Sequence, residues 1–129
     1  MESCENTVAY NNVSGNSGCG IFIVDTSDSN TIEYNRVNDN SGDGICIGSL
    51  LERSENDNIV RYNNVGDNCG NGIKIGESGY NDRIEYNIVF GNGVYDLYDL
   101  GTGNVWKRTS MTSHIPKGLG DHRNPPFSL

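Results

Sequence analysis

The sequence predicts an all-β fold, a β-solenoid of about four coils, on three observations. One unit recurs through residues 6–95; its apolar residues are Ile and Val in short alternating stretches; and the breaks between stretches are Asn and Gly. The units open at Asn6, Asn30, Asn58 and Asp82, at offsets of 24, 28 and 24. Strands this short, separated by corner residues and repeated at a period near 24, return above their own starting point and stack. The composition agrees: 19 Asn and 17 Gly stand against one Ala and no Gln, an alphabet that disfavours helices and supplies turns. Eleven Ile and nine Val at regular intervals oppose disorder.

Each unit reads Asn-x-Ile/Val-x-x-Asn-x-Val-x-x-Asn and continues with Gly-Ile-x-Ile. Alternation within a strand turns residues of opposite parity to opposite faces, and coils stack about 4.8 Å apart, so equivalent residues form columns. Four apolar columns follow: Val8, Ile32, Val60, Ile84; Val13, Val37, Val65, Val89; Ile21, Ile45, Ile73, Val94; and Ile23, Ile47, Ile75. Three Asn columns mark corners: Asn11, Asn35, Asn63, Asn87; Asn16, Asn40, Asn68, Asn92; and Asn6, Asn30, Asn58 with Asp82. At a corner the backbone leaves the strand ladder, and a stacked amide supplies the missing partners. Tyr10, Tyr34, Tyr62 and Tyr86 make a further column of stacked rings, in or beside the core. Glu33, Arg61 and Glu85 alternate in sign as an exposed ladder.

The repeat pattern resembles the right-handed parallel β-helix repeat family. That family includes the periplasmic NosD-type proteins of copper-enzyme maturation and carbohydrate-binding and sugar-hydrolysis modules, within the pectin-lyase-like superfamily. The resemblance implies an extracellular or cell-surface location and a face that binds polysaccharide. It speaks to fold more than to activity.

A length of 129 residues sets one domain, divided here into repeats with a closing segment over 1–106 and an irregular tail over 107–129. The fourth unit is read as shortened, with Gly93-Val94-Tyr95 in place of Gly-Ile-x-Ile and Asp96 where an inward Ile stood; Leu97, Leu100 and Trp106 then cover the last coil. The N-terminal coil lacks a cap, which predicts continuation into a longer β-helix or end-to-end self-association. The N-terminal segment has no apolar core of a secretory signal, and no apolar run is long enough to span a bilayer. A net charge of −8 without a Lys/Arg cluster argues against nucleic-acid partners.

Cys4, Cys19, Cys46 and Cys69 lack C-x-x-C spacing, and Cys19 and Cys69 lie two coils apart, about 9.6 Å, which predicts free thiols. Both histidines, His114 and His122, fall in the tail, so no convergent metal set and no cofactor are expected. Asp39-x-Ser41-x-Asp43-Gly44 has the opening spacing of a calcium loop, but Leu50 holds the twelfth position. Asp43 also lies in a stretch similar to the Gly-Asp-Asp-Cys of polygalacturonases, with Gly44 replacing the second carboxylate. The chain is therefore read as a non-catalytic module, with a degenerate polysaccharide lyase or hydrolase and a structural spacer as alternatives. Its candidate glycan face carries Phe22, Lys74 and Tyr95, bordered by Asp25, Asp43 and Glu77. The four-residue insertion before Asn58 forms a loop whose Leu50, Leu51, Glu52 and Arg53 are candidate contacts.

Overall fold

The structure, a computed structural model, describes residues 5–24, 28–48, 55–111 and 127–128. Asp25, Leu50, Leu51, Glu52 and Arg53 lie outside the described residues, as do Cys4, His114 and His122. The rest is a parallel β-solenoid with three faces, and among the described residues there is no helix. The first face stacks Thr7–Ala9, Thr31–Glu33, Ile59–Arg61, Arg83–Glu85 and Val105–Lys107. The second stacks Asn12–Ser14, Arg36–Asn38, Asn64–Gly66, Ile88–Phe90, Thr109–Met111 and Phe127–Ser128. The third stacks Ile21–Ile23, Ile45–Ile47, Ile73–Ile75 and Leu97–Asp99. Four coils contribute a strand to every face, a fifth contributes strands to the first two, and Phe127–Ser128 adds a sixth strand to the second.

Register follows the repeat. Val8, Ile32, Val60 and Ile84 align on the first face, and Trp106 continues the column, fully buried. Val13, Val37, Val65 and Val89 align on the second. With Ile21, Ile45, Ile73, Ile23, Ile47, Ile75 and Leu97 they form one core. Close stacking also explains Gly20, Gly44 and Gly72, which precede the first three strands of the third face. A Cβ at Gly44 would stand 2.5 Å from Val65 Cγ1 and 2.7 Å from the Gly72 carbonyl oxygen. Gly44→Ala is therefore expected to lower stability by about 1–3 kcal/mol, read as a shifted urea midpoint.

The three Asn columns are hydrogen-bond ladders. Asn35 donates both its backbone N–H and its side-chain Nδ2 to Asn63 Oδ1, at 3.0 and 3.1 Å, and Asn63 does the same to Asn87. The other Nδ2 hydrogen of Asn63 reaches the Ile32 carbonyl at 2.9 Å. The residue before each Asn turns the corner with left-handed backbone, φ near 56° at Tyr34, Asp39 and Ser29 alike. The insertion lies where the sequence puts it: Ile47 pairs with Ile75 and Glu55 with Gly79, so the longer coil takes its extra residues between those pairs.

The closing region differs from the sequence reading. Leu97, not Val94, continues the Ile21, Ile45, Ile73 column, and Asp99, not Asp96, replaces the inward Ile after Ile75. Val94 is 55% exposed. Asp99 is tolerated inside because it is fully partnered: Gly101 N–H and Asn104 Nδ2 donate to its Oδ1, and Trp106 Nε1 donates to Oδ2 at 2.8 Å. Trp106 and Leu97 are thus members of the stack rather than a cover over it. The coil pattern also runs past residue 106, since Thr109–Met111 pairs with Ile88–Phe90 and Phe127–Ser128 pairs with Thr109–Met111.

The charged column departs as well. Arg61 Nε bonds Glu33 Oε2 at 2.8 Å, whereas Glu85 is buried and pairs with Arg83 on its own strand at 3.2 Å.

Candidate functional site

The alternation of the third face turns one column outward: Phe22, Cys46, Lys74 and Tyr98 align by strand register. Beside it runs a corner column of residues that immediately precede the aligned Gly20, Gly44 and Gly72, namely Cys19, Asp43 and Asn71. Tyr95 is its fourth member: its N–H bonds Asn71 Oδ1 at 3.1 Å, and its carbonyl receives Gly72 N–H. The two columns enclose a cavity of about 250 Å³, lined by Phe22, Asp43 and Lys74, with the two cysteines at its side and Gly48 at its edge.

Three of the glycan candidates therefore meet, Phe22, Asp43 and Lys74. Phe22 is 53% exposed. Tyr95 is displaced from the expected strand column into the corner column, and Tyr98 occupies the strand position; the two rings stack at 5.8 Å. Glu77 is exposed on the turn after Ile73–Ile75 and does not line the cavity. Tyr98 was missed because Gly93-Val94-Tyr95 imitates the repeat more closely than Leu97-Tyr98-Asp99 does.

The expectation of free thiols is corrected. Cys19 and Cys46 form a disulfide, Cα to Cα 6.6 Å, while Cys69 is free and exposed. The bond runs diagonally, from the corner column of one coil to the strand column of the next, a relation that a comparison within corners does not test. It also buries Cys46, which is only 6% exposed although it points away from the core. Asp43 completes the cluster. Asn71 donates its backbone N–H and its Nδ2 to Asp43 Oδ1, at 2.6 and 3.0 Å, while Oδ2 lies 3.4 Å from Cys46 Sγ. The ligand-bearing atoms of Cys19, Asp43 and Cys46 lie within 4.8 Å of one another, so the expectation that no metal-ligating groups converge is corrected too. Of the residues in the calcium-loop spacing, Asp39 meets Asn38, and Asp43 turns to Asn71.

The family described as Periplasmic copper-binding protein (NosD) matches residues 1–118. The chain belongs to the NosD family. No curated protein and no solved structure matches it.

This NosD-family chain carries a second groove, of about 490 Å³, along its tyrosine column. Tyr10, Tyr34, Tyr62 and Tyr86 stack nearly parallel with centroids 5.1–5.2 Å apart, on the outside of the solenoid. Rings stacked face to face turn their edges to the groove, where Arg36, Asn64 and Ile88 also stand. All four tyrosines adopt left-handed backbone, φ 55–60°, a conformation that a bulky residue adopts only where its surroundings compensate.

Proposed function

We propose that this NosD-family solenoid is a non-catalytic module that holds carbohydrate in the cavity of its third face. The observation that carries the reading is the exposed Phe22 ring at a cavity that also presents an ammonium, Lys74, and a carboxylate, Asp43. A sugar offers an apolar C–H face to an aromatic ring and hydroxyls to flanking polar groups, and a mostly apolar concavity with a few polar groups suits it. Lys74 favours units that bear a carboxylate. Asp43 serves as a fixed acceptor, since Asn71 holds one of its oxygens and the other faces sulfur.

Binding to immobilised neutral and uronate polymers tests this. Phe22→Ala is expected to weaken both about fivefold, from the loss of about 1 kcal/mol of stacking. Lys74→Ala should weaken the uronate polymer alone. Unchanged binding in both variants removes the proposed face. Turnover of a uronate polymer that Asp43→Asn abolishes would favour the lyase or hydrolase relative instead, and absence of binding to every polymer would favour a spacer.

A second reading, copper binding, is favoured by one observation, the convergence of Cys19, Cys46 and Asp43 in a chain whose family description names copper. The donor set fits on one condition. Two thiolates suit a soft cation such as Cu(I), but cysteines bonded to each other offer no thiolate. With both thiols free, Cys19 and Cys46 would hold the ion and Asp43 would add an oxygen donor.

A further inference from the structure

We propose that the Cys19–Cys46 disulfide is a gate on that metal site: oxidised, the pair is a staple between two coils, and reduced, it binds Cu(I) with Asp43. The proposal rests on the copper reading and adds the condition under which the site exists.

The accessibility of the two sulfurs sets the direction of opening. Cys46 is buried at the cavity, whereas Cys19 lies half-buried on its corner, so an external thiolate reaches the Cys19 sulfur first. Attack by a dithiol reductant forms a mixed disulfide at Cys19 and expels Cys46 as a thiolate, which takes up a proton. The second thiol of the reductant then releases Cys19 and closes the reductant's own disulfide. Two electrons and two protons pass from reductant to protein. Asp43 Oδ2 lies 3.4 Å from Cys46 Sγ in the disulfide form, so on reduction the Cys46 S–H can donate to it. Binding of Cu(I) displaces the two thiol protons, makes two S–Cu bonds and leaves Oδ2 free to approach the ion.

Asn71 makes this a built site rather than three neighbouring groups. Its two bonds to Oδ1 fix the carboxylate so that Oδ2 is directed at the sulfurs. Gly70 leaves room for that carboxylate, since a Cβ there would stand 2.4 Å from Asp43 Oδ1. Asn71 is accordingly a positioning residue.

The test uses the full chain with Cys4→Ser and Cys69→Ser, which leaves only the pair. Oxidised protein, and protein reduced with a dithiol and desalted without oxygen, are titrated with Cu(I) against a chromogenic Cu(I) chelator. Thiolate-to-copper absorption in the near ultraviolet is followed, with circular dichroism of the sheet. The reduced form should take up one Cu(I) per chain and the oxidised form none. Cys19→Ser or Cys46→Ser in the reduced background should weaken uptake at least 100-fold, and Asn71→Ala about tenfold. Equal uptake by both redox forms overturns the gate and leaves the copper reading standing. Uptake by neither overturns the copper reading. Tighter binding of Zn(II) than of Cu(I) overturns the metal assignment, and loss of the sheet signal on reduction overturns the gate.

Discussion

Replacing Asn63 by Ala is expected to lower the unfolding free energy by roughly 4 kcal/mol, because one amide serves three coils at once. Its Oδ1 is the acceptor for both Asn35 N–H and Asn35 Nδ2, and its own Nδ2 donates to Asn87 Oδ1 and to the Ile32 carbonyl. Asn63 is 2% exposed, so water cannot replace these partners without opening the corner. Truncation orphans the Asn35 N–H and one Asn35 Nδ2 hydrogen, each costing about 1–3 kcal/mol, and takes one bond from the Ile32 carbonyl. At low pH, where its carboxyl keeps a proton, Asn63→Asp should fall between: it keeps the acceptor for Asn35 and offers one hydrogen where the amide offers two to Asn87 and Ile32. Asn11→Ala supplies the contrast. Asn11 stands exposed at the N-terminal end of the same ladder, and among the described residues it donates to Asn35 without accepting from another coil. Its loss should cost under about 1 kcal/mol. Urea unfolding of the three variants checks the order; equal midpoints for Asn11→Ala and Asn63→Ala would remove the ladder from the account of stability.

These ladders were legible because their logic is local and periodic. A corner recurs every 24 or 28 residues, its backbone lacks ladder partners, and in the repeats the sequence places Asn there at every position but Asp82. The inward columns were legible for the same reason. Three features were not. The Cys19–Cys46 bond joins different columns of adjacent coils, and no within-column comparison exposes a diagonal contact. The fourth third-face strand carries Asp99 at an inward position, which breaks the apolar signature; only three-dimensional placement brings Gly101, Asn104 and Trp106 to that carboxylate. The shortened coil is also misplaced by pattern alone. Asn104 is the next partner of Asp82, 22 residues on, and the shortening falls after Leu97–Asp99 rather than before it. The tyrosines add a different lesson. Their stacking follows from the repeat, but their left-handed backbone and exposure do not, since Tyr has no preference for that conformation.

Asp82 breaks the ladder at one position, and its effect should be read against pH. Asn58 donates its N–H and Nδ2 to Asp82 Oδ1, and Asp82 N–H donates to Asn104 Oδ1, so the backbone links are intact on both sides. Where the other members of the column carry an amide nitrogen, Asp82 has Oδ2, a fully buried oxygen with no hydrogen-bond partner among the described residues. A proton on Oδ2 would restore the missing donor. Burial is the main cause that pushes the Asp82 carboxyl up to about 7; the bonds from Asn58 oppose the shift, and the nearby charges of Asp99 and Asp57 add to it. The folded chain therefore binds a proton that the unfolded chain releases between pH about 3.8 and about 7. Stability from this group is fully present below the lower value and is lost as pH rises through the upper one. The difference amounts to roughly 4 kcal/mol at pH 8, from 1.36 kcal/mol per pH unit over that interval. Asp82→Asn supplies the donor permanently. It should match the natural chain at pH 4 and exceed it by a few kcal/mol at pH 8, and its unfolding free energy should lose this part of the pH dependence. Urea unfolding of both chains from pH 4 to 8 measures it, and a difference that does not grow with pH would show that Asp82 is already ionised within the fold.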